Sequence, residues 1–558
     1  MIAIHVHSDG SLLDGKAKID EIINRAIELG ENSVALTNHG NMVTAFNFYK
    51  KCKENNIKPL LGCEVYVGEK GDSNKYHLIL LAKNDTGYKN LLYIQYYSHL
   101  KNFYSKPRVD YNTLIQKSEG LICGTACIGG EIGQNFLNGD KEEAIRTINK
   151  LKSIFKEDLY LEIQPNSIPA QKDYNKFIIE QSKNQNIPII VTTDAHYARK
   201  EDADTHDTLL CMQIKKKKND ETRWRFTGND YYMMSDEEVI KNLSYLDIDD
   251  VKTAIKNTYV IRDKCNVELH TGANYLPVFC QNAPQKLAEL CNAGFQKRLS
   301  EGAFQGVDVN EVVARVSREL KDYTKKGYAD YFLIIHDLLQ YCEKEDIFYG
   351  CGRGSVAGSE IAFLLGITEV EPIKYGLLSE RFLNPTRNSH PDIDTDICYL
   401  NRHKIIQYMK DKYGEENVAG IIAEGKLTLS SVVRKVLSTY GYEMDVINKV
   451  ASYLKEKYVV EAEDEDNEDK NEKYKNVQEA LEHNEDFKNF FDNLDDEIQR
   501  DIKSLENTIS HFSKHAAGII IAPTPVYEYI PVMRDSKEEG MMMSQWDKKI
   551  VEDIGLTI

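Results

Sequence analysis

The chain has 558 residues, 42% of them hydrophobic, and its 70 basic against 88 acidic residues give a formal net charge of −18. This length predicts about three domains, each large enough for its own core. The sequence contains no apolar stretch of membrane-spanning length, and Met1 directly enters a predicted strand. We therefore expect a cytoplasmic protein with no cleavable leader and no membrane partner. Eleven cysteines without a C-x-x-C pair predict reduced thiols rather than a disulfide framework.

The acidic balance argues against a nucleic-acid-binding surface that covers the whole protein. It does not exclude a local basic groove, because charges in physiological salt act over about 8–10 Å. Part of the acidic excess is concentrated at residues 461–470. This segment predicts a solvated loop that points away from any bound duplex.

Short apolar strands alternate with amphipathic helices over the first two hundred residues. Ile19, Ile22, Ile23, Ala26 and Ile27 have the spacing of a half-buried helix that ends at Gly30. Repeated βα units predict a (β/α) barrel of parallel strands, with functional residues at the strand C-termini. The predicted strands are 2–7, 34–38, 60–67, 76–82, 121–125, 159–163 and 189–193.

Nine candidate metal ligands lie near these strand ends. Imidazole, carboxylate and thiolate on one rim suit Zn²⁺, Mn²⁺ or Fe²⁺, and nine ligands are enough for more than one ion. Taken singly, each has an ordinary alternative, such as a hydrogen-bonded surface histidine or a buried cysteine. Together and in this order they predict a metal centre. The candidates are His5, His7, Asp14, His39, Glu64, His77, Cys127, Asp194 and His196, of which His77 alone lies at the start of its strand.

A glycine-rich loop at 350–359 precedes an acidic strand predicted over 391–397. Side chains two apart in a strand share a face, so Asp394 and Asp396 project together. Two such carboxylates can hold Mg²⁺, while the loop amides and Arg353 cradle a triphosphate. The helix predicted over 361–365 adds free amides and a helix dipole that favour phosphate.

Two sets of motifs carry a family resemblance over nearly the whole chain. H-x-H, N-H-G, G-C-E and T-D-A-H in the first two hundred residues resemble the PHP domain. The segment L-S-E-R-F-L-N-P at 378–385, followed by P-D-I-D-T-D at 391–396, resembles the palm signature of bacterial or phage-encoded DNA polymerase III alpha subunits. Further matches are Y-F-L-I at 331–334, R-G-S at 353–355 and K-H-A-A-G at 514–518.

The resemblance implies an α/β multidomain fold. A PHP-type (β/α) barrel would be followed by a polymerase-beta-like nucleotidyltransferase palm of α+β type with a helical thumb insertion. The implied segments are the barrel at 1–270, the first part of the palm at 271–424, the thumb at 425–505 and the second part of the palm at 506–558.

The resemblance also implies roles for the candidate residues. Asp394 and Asp396 would be catalytic and hold two Mg²⁺ ions, with Gly354 and Ser355 on the triphosphate of a dNTP. Arg353 and Arg381 would be supporting cations, although Arg381 also fits a structural ion pair. In the thumb, Arg434 and Lys435 would contact primer–template phosphates, or simply form a solvated helix face. The nine barrel residues match the ligand pattern of a trinuclear Zn²⁺, Mn²⁺ or Fe²⁺ site with 3′→5′ exonuclease activity.

The last residues match the run-up to the strand K-F-D-x-L-G, which supplies the third palm carboxylate in the family. The sequence ends before that strand, and neither Asp547 nor Asp553 occupies the matching position. We therefore expect a DNA polymerase that needs a C-terminal polypeptide in trans and works with replisome proteins. Two other interpretations stay open: a metal-dependent phosphoesterase with an inactive palm, and a non-enzymatic fragment that binds DNA or replisome proteins.

Overall fold

The computed structural model describes residues 1–382, 393–455, 474–536 and 540–558. These residues form two compact units. Unit 1 comprises Met1–Leu269, Ile422–Lys514 and Pro531–Gly540, and unit 2 comprises His270–Ile421, His515–Ile530 and Met541–Ile558. The predicted acidic loop at 461–470 and the palm-signature residues 383–392 lie outside the described residues. Within the described part, helices that are both long and apolar enough to cross a membrane are absent.

Twelve strands occur in the described residues. They are β1 Ser33–Leu36, β2 Lys58–Val67, β3 Tyr76–Ala82, β4 Phe103–Tyr104, β5 Lys106–Val109, β6 Leu121–Gly124, β7 Leu159–Ile163, β8 Ile189–Val191, β9 Val418–Lys426, β10 Ile509–Ile521, β11 Val532–Arg534 and β12 Met542–Ser544.

The α-helices are named in the same way. They are α1 Ile19–Glu28, α2 Ala45–Glu54, α3 Asp85–Tyr96, α4 Tyr111–Lys117, α5 Glu131–Leu137, α6 Lys141–Phe155, α7 Gln171–Gln185, α8 Ala203–Ile214, α9 Asp236–Asn242, α10 Ile248–Lys264, α11 Ala283–Ser300, α12 Val309–Lys325, α13 Ala329–Lys344, α14 Glu360–Leu364, α15 Arg402–Tyr413, α16 Leu429–Thr439, α17 Met444–Leu454, α18 Val477–His483, α19 Glu485–Asp492, α20 Asp496–Leu505 and α21 Lys548–Ile554.

The first eight strands form one curled sheet in unit 1, in the order β4-β5-β2-β3-β6-β7-β8, with β1 paired to β2. Most neighbours are parallel, but β3 runs antiparallel to both β2 and β6. The prediction of an all-parallel barrel is therefore wrong at β3. Hydrophobic patterning identifies a strand but not its direction, because both directions bury the same alternate side chains.

The N-terminal residues connect the two ends of this sheet. The strand predicted over 2–7 is not a regular strand, since it has only one isolated bridge, between Val6 and Ala195. The Ala35 amide donates to Ala3 on one side (2.9 Å), and the Ala195 amide donates to His5 on the other (3.0 Å). The segment thus lies between β1 and the residues after β8, and it closes the curled sheet.

Helix α1 shows how the sequence pattern becomes packing. Ile22, Ile23 and Ala26 are buried, at the predicted i+3, i+4 and i+7 positions counted from Ile19. Ile27, which the pattern also assigned to the buried face, is 46% exposed. The buried stripe is therefore narrower than predicted, and it faces the large apolar core formed by the sheet and its helices.

Helices α16 to α20 pack within unit 1, where Leu209 of α8 joins their apolar core. One fully buried carboxylate, Asp501 of α20, fixes this packing. It accepts hydrogen bonds from Thr205 (2.6 Å), Thr208 (2.5 Å) and Tyr440 (2.8 Å). The Lys218 ammonium lies 3.8 Å from the same carboxylate. A buried charge is tolerated only when it is paired and hydrogen-bonded in this way.

The described residues of unit 2 include two apolar cores. Helices α11 to α14 surround the larger one, in which Tyr323 and Phe332 stack at 4.8 Å between ring centroids. The second core joins α13 and α15 to β9 and to the end of β10. Strand β12 is parallel to β9, with Met543 opposite Gly420. All eleven cysteines of the chain are free thiols.

Candidate functional site

The structure brings the nine predicted ligands of unit 1 together at the C-terminal edge of the parallel strands. We call them the histidine cluster: His5, His7, Asp14, His39, Glu64, His77, Cys127, Asp194 and His196. Glu64 lies at the centre, with its oxygens 2.7 Å from His39 Nδ1, 3.0 Å from His77 Nδ1 and 3.3 Å from both His5 Nε2 and His7 Nε2. Asp194 Oδ1 lies 3.0 Å from His5 Nε2 and 3.2 Å from His7 Nε2.

The position of His77 follows from the direction of its strand. Because β3 is antiparallel, its first residues lie beside the last residues of β2, and His77 pairs with Tyr66. A residue at a strand start thereby reaches the same rim as residues at strand ends. The apparent exception in the sequence is a consequence of strand direction.

The donor atoms form three overlapping groups that are compact enough to hold a metal ion. The groups are His5, His7, Glu64 and Asp194; His7, His39 and His196; and His39, Glu64 and His77. Several donor atoms that face one another in these groups are buried and make no hydrogen bond of good geometry. They are His5 Nε2, His7 Nε2, His39 Nδ1, Asp194 Oδ1 and both Glu64 oxygens. Buried polar atoms left this way are costly unless a cation binds them. The donor set thus fits more than one divalent ion of the Zn²⁺, Mn²⁺ or Fe²⁺ type.

Asp14 and Cys127 lie at the margin of the cluster. Asp14 Oδ2 is 3.2 Å from His39 Nε2 and 4.0 Å from His196 Nε2. Cys127 Sγ is 3.7 Å from His77 Nδ1 and accepts a hydrogen bond from the Gly129 amide. Burial, together with Asp194 and Glu64, raises the pKa of the Cys127 thiol well above its usual value. Both residues are near enough to complete the ligand sets of ions bound at the centre.

The electrostatics of the cluster favour ionised carboxylates. Burial opposes the charge on Glu64, but His77, His39 and His5 hold the pKa of its carboxyl well below the usual range. Burial likewise opposes the charge on Asp194, and His5 and His196 keep its pKa low. Burial and the neighbouring His39 and His196 lower the pKa of His7 to about 3, so that its imidazole is neutral. Burial opposes the charge on His5 and His39, but Asp194 and Glu64 raise the pKa of His5 well above its usual value, and Glu64 and Asp14 raise the pKa of His39 to about 10. Metal binds neutral imidazole and ionised carboxylate, so His5 and His39 must release their protons when an ion binds.

The sequence analysis missed a carboxylate that supports the cluster. Glu162 of β7 is 1% exposed and lies 3.3 Å from His5 Nδ1. It accepts hydrogen bonds from Thr192 (2.7 Å) and from the Ala126 amide (2.9 Å). A Cβ on Gly124 would lie 2.3 Å from its Oε1, so the glycine leaves room for it. A single acid within an otherwise apolar predicted strand was the available signal.

In unit 2, the two predicted palm carboxylates lie beside the glycine-rich loop. The Gly350 amide donates to the Asp396 carbonyl (2.8 Å), and isolated bridges join Tyr349 to Ile397 and Arg353 to Asp394. Residues 393–397 make these two isolated bridges but do not form the regular strand that was predicted. The Arg353 guanidinium contacts Asp394 Oδ2 (3.2 Å) and Asp396 Oδ1 (3.1 Å). Both carboxylates therefore lie on the same side of the chain.

The backbone of the loop is closely packed against its surroundings. Gly352 has φ +80°, and a Cβ there would lie 2.7 Å from the Ile367 carbonyl. Gly354 also has a positive φ, and its Cβ position is 3.6 Å from Asp394 Oδ2. Glycine is needed at 352 for both reasons. The loop can therefore bring its backbone close to the carboxylates.

The helix start behind the loop is not open to phosphate, which corrects the prediction made for residues 361–365. Helix α14 has only five residues, and its Glu360 and Ile361 amides both donate to the carboxylate of Glu319 (3.1 Å each). The Ala362 amide donates to Ser359 (3.2 Å). These partners already satisfy the amides that a phosphate would need.

The remaining predicted palm residues surround the loop. Ser355 lies in the 3₁₀ turn Gly354–Gly358, and Arg381 ends the 3₁₀ turn Ser379–Arg381, where it is exposed. The two turns approach closely, since a Cβ on Gly358 would lie 2.6 Å from the Leu378 carbonyl. Burial, with Lys548 and Arg402 nearby, lowers the pKa of His515.

The predicted thumb cations Arg434 and Lys435 line a groove of about 620 Å³ in unit 1. Arg434 also donates to Asn448 (2.7 Å). Three consecutive lysines missed by the sequence analysis line the same groove, namely Lys215, Lys216 and Lys217 at the end of α8. The groove thus has a basic rim within an acidic protein.

Comparison with known families and proteins agrees with this arrangement. Residues 3–166 match the PHP domain, and residues 285–557 match the bacterial DNA polymerase III alpha NTPase domain. Similar proteins include the DNA polymerase III subunit alpha of Borreliella burgdorferi, which is 36% identical over 572 residues and covers 100% of this chain and 47% of the relative. The corresponding Aquifex aeolicus subunit is 35% identical over 596 residues, with 100% and 50% covered.

The fold therefore joins a PHP domain to a polymerase palm domain, which confirms the predicted fold class. The chain belongs to the family of bacterial DNA polymerase III alpha subunits, of which it matches the N-terminal region. It spans about half the length of the curated relatives it matches.

Proposed function

We propose that this chain supplies the N-terminal part of a cytoplasmic DNA-directed DNA polymerase, which transfers nucleotides from dNTPs to a primer 3′-hydroxyl on a DNA template. The observation that carries the proposal is the pairing of the acidic segment with the glycine-rich loop, through the Gly350–Asp396 hydrogen bond and the Arg353–Asp394 bridge. The similarity of the whole chain to DNA polymerase III alpha subunits supports the same activity.

In this proposal Asp394 and Asp396 hold two Mg²⁺ ions, which would neutralise the triphosphate and activate the primer hydroxyl. Arg353 now binds both carboxylates, so it has to leave them when they bind cations. It would then lie beside Gly354 and Ser355, where its guanidinium suits phosphate oxygens. Arg381, exposed on the adjacent turn, is the second proposed phosphate contact.

The proposed duplex contacts are Arg434 and Lys435. Their groove with Lys215, Lys216 and Lys217 presents five cations to a polyanion. Contacts of this kind bind the phosphate backbone without reading sequence, and they weaken as salt rises.

We further propose that polypeptide corresponding to the other half of the relatives completes the palm. It would either continue this chain or bind it as a second polypeptide, and other replisome proteins would bind the assembly. The exposure of the two palm carboxylates, 39% for Asp394 and 67% for Asp396, is what an open half-site requires.

The test is primer extension with Mg²⁺ by the chain alone and mixed with a polypeptide that carries the other half of a relative. We expect extension only in the mixture, and its loss by several orders of magnitude with Asp394→Ala. Asp337→Ala, which removes a carboxylate bonded to Tyr408 elsewhere in unit 2, serves as the matched control. Extension that survives Asp394→Ala would remove the catalytic assignment.

A second activity is favoured by the histidine cluster. We propose that the cluster binds up to three Zn²⁺, Mn²⁺ or Fe²⁺ ions and hydrolyses phosphodiesters, as a 3′→5′ exonuclease. Such ions lower the pKa of a bound water and hold the phosphate. The cluster lines a cavity of about 290 Å³ that gives a substrate access to it.

Elemental analysis of the purified chain tests this second activity first. We expect more than one equivalent of transition metal, and release of 3′-terminal nucleotides from single-stranded DNA. A chain that binds metal and degrades DNA ends, but gives no extension with the completing half, would be a phosphoesterase with an inactive palm. A chain that only binds primer–template would be a non-enzymatic fragment.

A further inference from the structure

The cavity of the histidine cluster has an aromatic side chain at its mouth. Trp224 is 57% exposed, although it is among the largest apolar side chains of the protein. It lines the cavity of about 290 Å³ together with His77, Cys127 and Asp194. This volume is at the lower end of the range for small-molecule sites, so it suits one nucleotide rather than a longer strand.

A series of ring contacts connects Trp224 with the cluster. The centroids of Trp224 and Phe226 are 5.2 Å apart at 64°, and those of Phe226 and His196 are 5.0 Å apart at 61°. Phe226 also contacts Tyr231 edge-on at 4.5 Å. The indole is therefore held two ring contacts away from a candidate metal ligand, with much of its own surface in solvent.

The segment that carries Trp224 is anchored on both sides. The buried Arg223 guanidinium donates to both oxygens of Asp207 (2.8 and 2.5 Å). On the other side Ser167 donates to Asp230, and the Tyr231 amide donates to the Tyr197 hydroxyl (3.3 Å). A platform fixed in this way loses little conformational entropy when a ligand binds.

Arg225 adds a cation to the same wall of the cavity, where it is exposed. Guanidinium groups bind phosphate oxygens and also stack on flat rings. An indole beside a guanidinium suits a ligand that has both an aromatic base and a phosphate. A sugar phosphate offers no ring for the indole.

We propose that Trp224, Arg225 and Phe226 form a platform that binds the terminal nucleotide of a single-stranded polynucleotide, with its base on Trp224 and its phosphodiester toward the histidine cluster. Every base has an aromatic face, so such a platform accepts any terminal base. The inference rests on the phosphodiester hydrolysis proposed for the cluster, and it names the substrate of that site.

Fluorescence tests the binding step locally, because the chain has two tryptophans and the other, Trp546, is 1% exposed. In a Trp546→Phe chain kept in EDTA, we titrate single-stranded DNA whose 3′-terminal residue is either normal or abasic. A normal end should quench Trp224 and bind roughly 5- to 150-fold more tightly than the abasic end. Equal binding of the two ends overturns the platform. If free dAMP binds as tightly as the single strand, the proposal that the ligand is a strand end is wrong.

Kinetics of 3′-end release separate the platform from the proposed nuclease. Trp224→Ala should raise KM by a similar factor and leave kcat unchanged, while Trp224→Phe keeps most of the affinity. Tyr104→Ala, which removes another exposed aromatic ring of unit 1 (58% exposed), should change neither. Base-dependent quenching without any hydrolysis supports the platform and contradicts the proposed nuclease activity. Hydrolysis with an unchanged KM in Trp224→Ala overturns the platform and keeps the nuclease.

Discussion

The two candidate metal sites differ in how completely the chain builds them. In the histidine cluster, Glu64 is 1% exposed and is surrounded by donors from several strand ends. In the palm, Asp394 and Asp396 are 39% and 67% exposed and share one arginine. The cluster is fixed by the sheet itself, whereas the palm carboxylates are held by a loop and a single cation. A site whose central donors are buried and fixed by a sheet is organised before its ion arrives, and an exposed one is organised by what binds it.

The largest expected effect tests the complete site. His7→Ala removes a donor shared by two of the three candidate ion groups. It should lower 3′-end release by more than about 100-fold, while Glu162→Gln, which weakens the support of His5 without removing a candidate ligand, should lower it by roughly 10-fold. Bound metal by elemental analysis should fall in the same order. His483→Ala, which removes an exposed imidazole at the end of α18 in the same unit, is the control. Equal activity of His7→Ala and the control would contradict the assignment.

Metal removal should affect the two units unequally. An ion whose free concentration is about 1,000 times its dissociation constant stabilises the fold that binds it by about 4 kcal/mol. Chelation should therefore raise hydrogen exchange in peptides of 1–269 and leave those of 270–421 unchanged. A uniform rise across both ranges would mean that the cluster does not hold the stabilising ion.

A pH effect distinguishes Glu360, a buried carboxyl whose pKa is raised, from Glu64 and Asp194, whose carboxyl pKa values are lowered. Burial, with Glu371 and Glu319 nearby and despite Arg315, raises the pKa of Glu360 to about 8. The folded state then keeps a proton that the unfolded chain has lost, so this group lowers stability progressively as pH rises from its unfolded pKa toward about 8. Glu360→Gln should remove this contribution to the pH slope and stabilise unit 2 at pH 8 by on the order of 3 kcal/mol.

Denaturant unfolding followed at pH 5 and pH 8 measures this difference. Glu345→Gln, which replaces an acid at the C-terminal end of α13, is the control and should keep the slope. An equal gain for Glu360→Gln at both pH values would show that packing, and not ionisation, is responsible.

The smallest expected effect concerns the open site. Arg353→Gln removes the cation that contacts both palm carboxylates. Without this competitor the carboxylates should bind Mn²⁺ more tightly in the absence of nucleotide. The gain should be only about a few-fold, because an exposed ion pair is weak. Electron paramagnetic resonance measures the affinity for Mn²⁺. The signal of the Asp394→Asn chain is subtracted to remove Mn²⁺ bound elsewhere, and Arg318→Gln is the control. Weaker Mn²⁺ binding in Arg353→Gln would mean that the arginine organises the carboxylates rather than competing for them.

Sequence patterns predicted the position of a cluster member best where it follows a strongly apolar strand, as for His39 after β1 and Asp194 after β8. They did not give strand direction, which left His77 unexplained until β3 proved antiparallel. Partners distant in sequence were also missed. Glu319 lies about forty residues before the amides it binds, and Trp224 lies in a segment without periodicity. Local sequence patterns predict secondary structure, whereas contacts between residues distant in sequence depend on how the backbone folds.

The buried carboxylate of Asp501 has a consequence for how unit 1 unfolds. Its bonds reach Thr205 and Thr208 of α8 on one side and Tyr440 on the other. Separating these helices breaks the hydrogen bonds that satisfy this carboxylate, so an intermediate in which the helices have shifted but the carboxylate stays buried is strongly disfavoured. The sheet and the helices packed on it should therefore melt in one cooperative step, and any motion of those helices should be transmitted to α8, which follows the candidate ligands Asp194 and His196.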